Sequence, residues 1–329
     1  MNKIIARPTR ELLESFRTFQ KLITCICIII FALALPGSLQ AQKLSKSDAK
    51  YLKALEDSLQ GYSTQMVFDT VSVNRFSADS AFVKAMVRAL RVTNSFMYPF
   101  DSVKTVSKIY APDSSFRIFT WELQRDDSYY RQQGFIQMKT TDGSLKFFPL
   151  FDGSEFAGSR PFDSVRSNRN WIGAIYYGMV TKQYNGQKYY SLFGLDDNDF
   201  TSTRKWIDVL TFDEAGRPLF GAPIFDYKED SIKAPQPAYR FLMDFKKDAN
   251  ARLVYDPSLD MIIFDHLVSE SNQLWRKETL IPDGDYEGFK WTNGKWVHVD
   301  KVYTQQLQDG QAPTPKPFYD ANGKPIQPE

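Results

Sequence analysis

Cysteine is nearly missing from this chain. Its 329 residues include two, Cys25 and Cys27. Both stand inside the apolar run LITCICIIIFALAL. The segment MNKIIARPTRELLESFRTFQK before that run is net positive, and PGSLQA after it leads to an expected cleavage behind Ala41. This is the three-part pattern of an export signal. The 14 apolar residues would rise about 21 Å as a helix, short of a hydrocarbon core near ~30 Å. A cleaved leader over 1–41 is therefore expected in preference to a retained anchor. A lipidated export signal needs a small residue before the cysteine and the apolar run ahead of it. Thr24 and Ile26 stand there instead, and most of the run follows. Beyond the leader no thiol remains, which excludes disulfides, thiol catalysis and cysteine-ligated metals together. Packing must hold the fold.

Histidine is as scarce, with His266 and His298 the two present. A three-histidine zinc site cannot be built within one chain. No G-x-S-x-G elbow marks a nucleophile, and Gly194, Gly216 and Gly221 belong to no P-loop or dinucleotide loop. Asp265 would point away from His266 if DMIIFDHLV is a strand, so their adjacency makes no dyad. An excess of either charge is also lacking. Lys and Arg number 41 against 39 Asp and Glu, and the balance falls to about −1 without the leader. Such a chain exerts no long-range pull on phosphate backbones or anionic lipid, so no nucleic-acid partner is expected. After cleavage no long apolar run is left to form an integral membrane domain.

What is present reads first as helix, then as sheet. Ser45 to Asp48 fits a capping box, and Leu44, Leu52, Leu55 and Leu59 share a helix face. Gly61 is the expected stop. A second helix is expected from about SADSAF, with Val83, Met86, Val87 and Leu90 in helical period, ending by Phe96–Pro99. From about Ile109 the period falls to two. FRIFTWEL, SYYRQQGFIQMK, WIGAIYYGMV, QKYYSLF, KWIDVLTF, YRFLMDF and LDMIIFDHLV are strand candidates. Several lack clean alternation, as expected where both faces touch protein. Phe, Tyr and Trp make up 15% of the chain, which favours sheets with broad aromatic contacts.

Asp142-Gly143, Asn185-Gly186 and Asn293-Gly294 supply hairpin turn chemistry. In GFKWTNGKWVHVD a two-residue turn at Asn293-Gly294 pairs Thr292 with Lys295 and Trp291 with Trp296, with Phe289 and His298 on the tryptophan face. The paired rings contribute roughly 0.2–1 kcal/mol over alanines. The expected fold is mainly β: an irregular antiparallel sandwich or partly closed barrel with N-terminal helices. A β-propeller is the alternative, weakened by unequal turn spacing. The expected organisation is a leader over 1–41, a helical region over 42–108 packing on the sheet, an antiparallel β domain over 109–303, and a polar, proline-rich tail over 304–329.

GLDDNDFTS sets Asp196, Asp197, Asn198 and Asp199 side by side. Alternating oxygen ligands can hold calcium, but counting from Asp196 the sixth position is Thr201 and the twelfth Ile207, where a calcium loop has glycine and glutamate. A turn capped by its own carboxylates is the simpler reading. Calcium at Asp196, Asp197 and Asp199 is the alternative to having no cofactor. Glu155, Asp208, Asp265, Asp285 and Glu287 are acids that could converge for glycoside hydrolysis. Asp208, between Ile207 and Val209, needs a partner if buried.

KWIDVLTF, GRPLFGAPIF, YDPSLDMIIFDHLV and IPDGDYEGFKWTNGKWVHV, spanning roughly Trp171 to Tyr303, together resemble a group of exported proteins of Bacteroidota-like bacteria with no assigned biochemical activity. The resemblance implies export and carries no residue roles. The expectation is a periplasmic or outer-membrane-peripheral protein, alternatively extracellular, that recognises a protein or glycan of the envelope without catalysis. Tyr189, Tyr190, Trp291 and Trp296 are its candidate ligand-contacting rings. A carboxylate-dependent hydrolase, acting on glycans, and a structural envelope protein are the alternatives.

Overall fold

The computed structural model describes residues 43–126, 128–156, 163–230 and 232–303. The expected leader and tail lie outside them. The described residues from Leu44 to Tyr303 form one compact unit. Ser45 opens helix α1 (Lys46–Phe68), its hydroxyl accepting the Asp48 N–H at 3.0 Å. Gly61 does not stop it. The glycine faces solvent, and the buried series Leu59, Ser63, Met66 carries the helix two turns further. Helix α2 (Ser72–Leu90) starts earlier than its apolar period suggests. The cause is Arg75, a buried polar anchor in its first turn. Arg75 donates to the carbonyls of Asp69 (2.8 Å), Gln124 (2.8 Å) and Arg125 (3.2 Å). The helix closes at Leu90, well before Pro99.

Fifteen strands follow among the described residues: β1 (Ser107–Tyr110), β2 (Phe116–Asp126), β3 (Tyr129–Met138), β4 (Lys146–Phe151), β5 (Arg166–Ser167), β6 (Ile175–Tyr184), β7 (Gln187–Asp196), β8 (Ser202–Phe212), β9 (Pro218–Phe220), β10 (Phe225–Asp226), β11 (Phe241–Lys246), β12 (Leu253–Asp256), β13 (Met261–Ser269), β14 (Leu280–Thr292) and β15 (Lys295–Val299). They form three sheets. The first is the meander β1-β2-β3-β4. The second runs β5-β9-β8-β7-β6, with β11 also paired to β8. The third runs β10-β15-β14-β13-β12. All pairings are antiparallel except β10 with β15. The protein is mainly β, and no sheet closes into a barrel. The sheets stack face to face instead of radiating as propeller blades would.

Three apolar cores separate four layers. Both helices pack on one face of the first sheet, where Leu52, Phe82 and Met86 meet Phe119, Trp121 and Phe135. The opposite face of that sheet, with Phe116, Ile118 and Ile136, meets Tyr190, Leu192 and Trp206 of the second sheet. The second sheet's other face, with Phe193, Ile207 and Val209, meets Ile262, Phe264, Phe289 and Trp296 of the third. The second sheet is therefore covered on both sides, which is why QKYYSLF and KWIDVLTF show no clean alternation. The segment holding Pro235 and Pro237 carries the chain from β10 in the third sheet to β11 in the second. It is the seam between two layers.

Candidate functional site

The aromatic candidates are positioned by two hairpin ends. Asn293 and Gly294 take φ of 49° and 83°, Asn185 and Gly186 take 47° and 79°, and both pairs make tight reversals. Trp291 pairs with Trp296 and Thr292 with Lys295, the expected register. A Cβ on Gly294 would run into the Tyr184 ring, so the two hairpin ends are in contact. Trp291 and Trp296 cross edge to face with ring centres 5.1 Å apart, and Tyr189 lies 6.0 Å from Trp291. Tyr189 and Trp291 are half-buried. Trp296 is fully enclosed, its indole N–H donating to the Ser191 hydroxyl at 2.9 Å. Lys182 extends over the rings of Trp296 and Tyr255 and pairs with Asp260, which also accepts from the Tyr255 hydroxyl.

Two of the four expected rings are therefore not at this surface. Tyr190 follows Tyr189 on a strand and faces the opposite core, 4% exposed, with its hydroxyl on Asp113 at 2.9 Å. Trp296 backs Trp291 from below. Tyr189 and Trp291 remain, joined by Tyr184, 41% exposed. The surface has partly buried rings and a lysine on strands, with a carboxylate on the turn between β12 and β13, a combination suited to stacking and hydrogen bonding with a polar ligand.

The acidic turn divides its carboxylates among separate tasks. Asp196 accepts the Asn198 N–H at 2.8 Å; Asp199 accepts the N–H groups of Thr201 at 2.7 Å and Ser202 at 2.9 Å. Asp197 pairs with Lys247 at 3.2 Å. Among the described residues no group of three His, Cys, Asp or Glu side chains is arranged to hold a metal ion.

Asp196 of this turn converges with Glu122, a residue not among the sequence candidates. The Gln132 amide donates to Glu122 at 2.6 Å and to Asp196 at 2.9 Å. Burial, then the charges of Asp197 and Asp196, push Glu122 up to about 8; the Gln132 hydrogen bond opposes them. Burial pushes Asp196 up to about 6 against the Asn198 hydrogen bond. The available signal was parity. Glu122 follows Phe116, Ile118 and Thr120 on one strand face, and two of those are core residues, so a carboxylate in that series stands at a seam.

The acids expected to converge are engaged with separate partners, although Asp265 and Glu287 border one small cavity. Asp208 is buried with Arg240 at 3.3 Å and accepts the Tyr176 hydroxyl at 3.3 Å. Asp265 accepts the Arg252 N–H at 2.6 Å, and Asp285 pairs with Lys301 at 3.0 Å. Glu155 lies on a short turn, exposed. Glu287 collects both histidines. His298 Nε2 lies 2.5 Å and Lys233 Nζ 3.0 Å from its Oε2, and His266 Nε2 lies 3.8 Å from Oε1. Asp283 bonds the far side of His266 at 2.8 Å. Burial would raise Glu287, but His298 and Lys233 outweigh it and hold the carboxyl below its ordinary range. Such a group is a poor proton donor and a good clamp for the segment carrying Lys233.

No helix among the described residues is long and apolar enough to cross a membrane. Comparison with known proteins finds no matching family model, curated protein or solved structure.

Proposed function

We propose that the protein is an exported, non-catalytic component of the cell envelope, periplasmic or at the outer-membrane periphery, that recognises a glycan through the face formed by Tyr184, Tyr189 and Trp291. One observation carries the reading: Trp291 is only partly buried at the edge of the core, while the ring behind it, Trp296, is fully buried and hydrogen-bonded to Ser191. The stacking surface is thus held in place before a ligand arrives, which limits the entropy lost on binding. The leader pattern and the resemblance to exported proteins support the location. A glycan array probed with the protein, followed by calorimetry on any hit, tests it. Trp291→Ala is expected to weaken binding at least tenfold while the buried Trp296 keeps the fold. Absence of any hit, or a hit that Trp291→Ala leaves unchanged, contradicts the reading.

The convergence of Glu122 and Asp196 favours a second reading, a hydrolase with a proton-bearing glutamic acid beside another carboxyl. Against it, both acids share one buried amide donor, which occupies the space a glycosidic oxygen would need. Glycan turnover by the wild type that Glu122→Gln abolishes would establish this second reading in place of the first.

A further inference from the structure

Helices α1 and α2 lie chiefly over β2, and on that face the outer strand β4 is left partly uncovered. A cleft of about 260 Å³ opens between α2 and the β3–β4 pair. Met86, Val87 and Leu90 line its helix side, and Phe135 and Phe147 its sheet side, with Trp121 joining them. An apolar cavity of about 150 Å³ already accommodates benzene, so this cleft has room for a larger apolar body.

Two charged residues border the cleft, Arg131 and Asp152. Asp152 is committed, accepting the N–H groups of Ser154 at 2.9 Å, Gly173 at 3.3 Å and Gln132 at 3.3 Å. A third charged group, Asp79, faces the same layer, and its carboxyl is bonded by Trp121 at 2.8 Å and Gln133 at 3.1 Å. Arg131 is exposed and its guanidinium is held by no hydrogen bond among the described residues, while its charge reaches the Asp79 carboxyl and opposes the rise that burial causes there. An apolar trough bordered by one exposed cation, whose neighbouring carboxylates already accept hydrogen bonds, is complementary to an apolar anion. We infer that this cleft binds a small amphiphilic carboxylate, with its acyl body between α2 and Phe135 and its head on Arg131. This site is separate from the aromatic face and does not depend on glycan recognition.

Calorimetric titration of the protein with hexanoate, octanoate, octylamine and octan-1-ol tests the inference. Octanoate is expected to bind at one site per chain, roughly tenfold tighter than hexanoate for its two extra methylenes. Octylamine should bind at least tenfold more weakly than octanoate. Arg131→Gln, a surface change that spares the core, should weaken octanoate at least fivefold and leave octan-1-ol unaffected. Val87→Phe should block both, with an unchanged melting temperature showing that the fold is intact. Lack of saturable octanoate binding overturns the inference, as does equal affinity for octylamine or indifference to Arg131→Gln. Octanoate binding only after removal of residues 304–329 would make the chain's own tail the occupant and overturn it as well.

Discussion

Arg117 is fully buried and makes no ion pair among the described residues. Its guanidinium donates to the carbonyls of Tyr98 and Ser95, the Tyr110 hydroxyl and the Gln137 amide oxygen, and lies over the rings of Phe96, Phe100, Tyr110 and Phe119. Carbonyl dipoles and ring faces thus stand in for water around a charge that would otherwise be costly to bury. Arg240 meets the same problem differently, with Asp208 as counter-ion and further donation to the carbonyls of Phe220 and Ser164. Removing one partner of such a pair strands the other charge, so Asp208→Ala is expected to cost about 3–5 kcal/mol in urea unfolding. A loss under 1 kcal/mol would mean that water reaches Arg240. The need for a partner at Asp208 was legible from its apolar neighbours Ile207 and Val209. The identity of that partner was not, because Arg240 immediately precedes β11, a strand that reaches β8 only through the tertiary fold. Parity separates Tyr189 from Tyr190. But no pattern in the chain tells that Trp296 is the enclosed member of its pair, since facing rings share one side and the neighbouring sheet decides which is covered.

At the scale of elements, the β14–β15 hairpin was readable to the residue because Asn293-Gly294 fixes both turn and register. Gly294 carries a second constraint, the contact with Tyr184, that Gly186 lacks. Gly186→Ala is expected to cost about 1 kcal/mol for its left-handed backbone, and Gly294→Ala about 2–3 kcal/mol for backbone and ring displacement together. Equal losses in thermal unfolding would remove the proposed contact between hairpin ends. Gly61 has the opposite expectation. It sits inside α1 with no atom within 4 Å of a Cβ placed there. Gly61→Ala should therefore stabilise the protein by about 0.5–1 kcal/mol. A helix continuing through glycine was hidden because local propensity marks a stop, whereas burial of Ser63 and Met66 against the layer beneath overrides it.

For the whole molecule, the shared second sheet makes the stack one cooperative object, and the acids at its seam give it a pH dependence. Glu122 and Asp196 have folded values above their ordinary ones, about 8 and about 6. Folding therefore favours their protonated forms. That stabilisation is complete below about pH 4 and is lost as pH rises through 6 and then 8, at up to about 1.4 kcal/mol per pH unit for each group. The carboxyls held low, Glu287 and Asp283 among them, act in the other direction and only in more acidic solution. Unfolding free energy should fall between pH 5 and 8, and Glu122→Gln should flatten that slope. A slope unchanged in the variant would remove Glu122 as its source.

The functional account rests on the face around Trp291, and the most direct measurement follows the six tryptophan indole N–H resonances by NMR as a glycan identified on the array is added. The account predicts that the Trp291 resonance shifts in a saturable way while those of Trp171 and Trp206, enclosed in the adjacent core, stay in place. A shift centred on Trp121, with Trp291 unmoved, would contradict it.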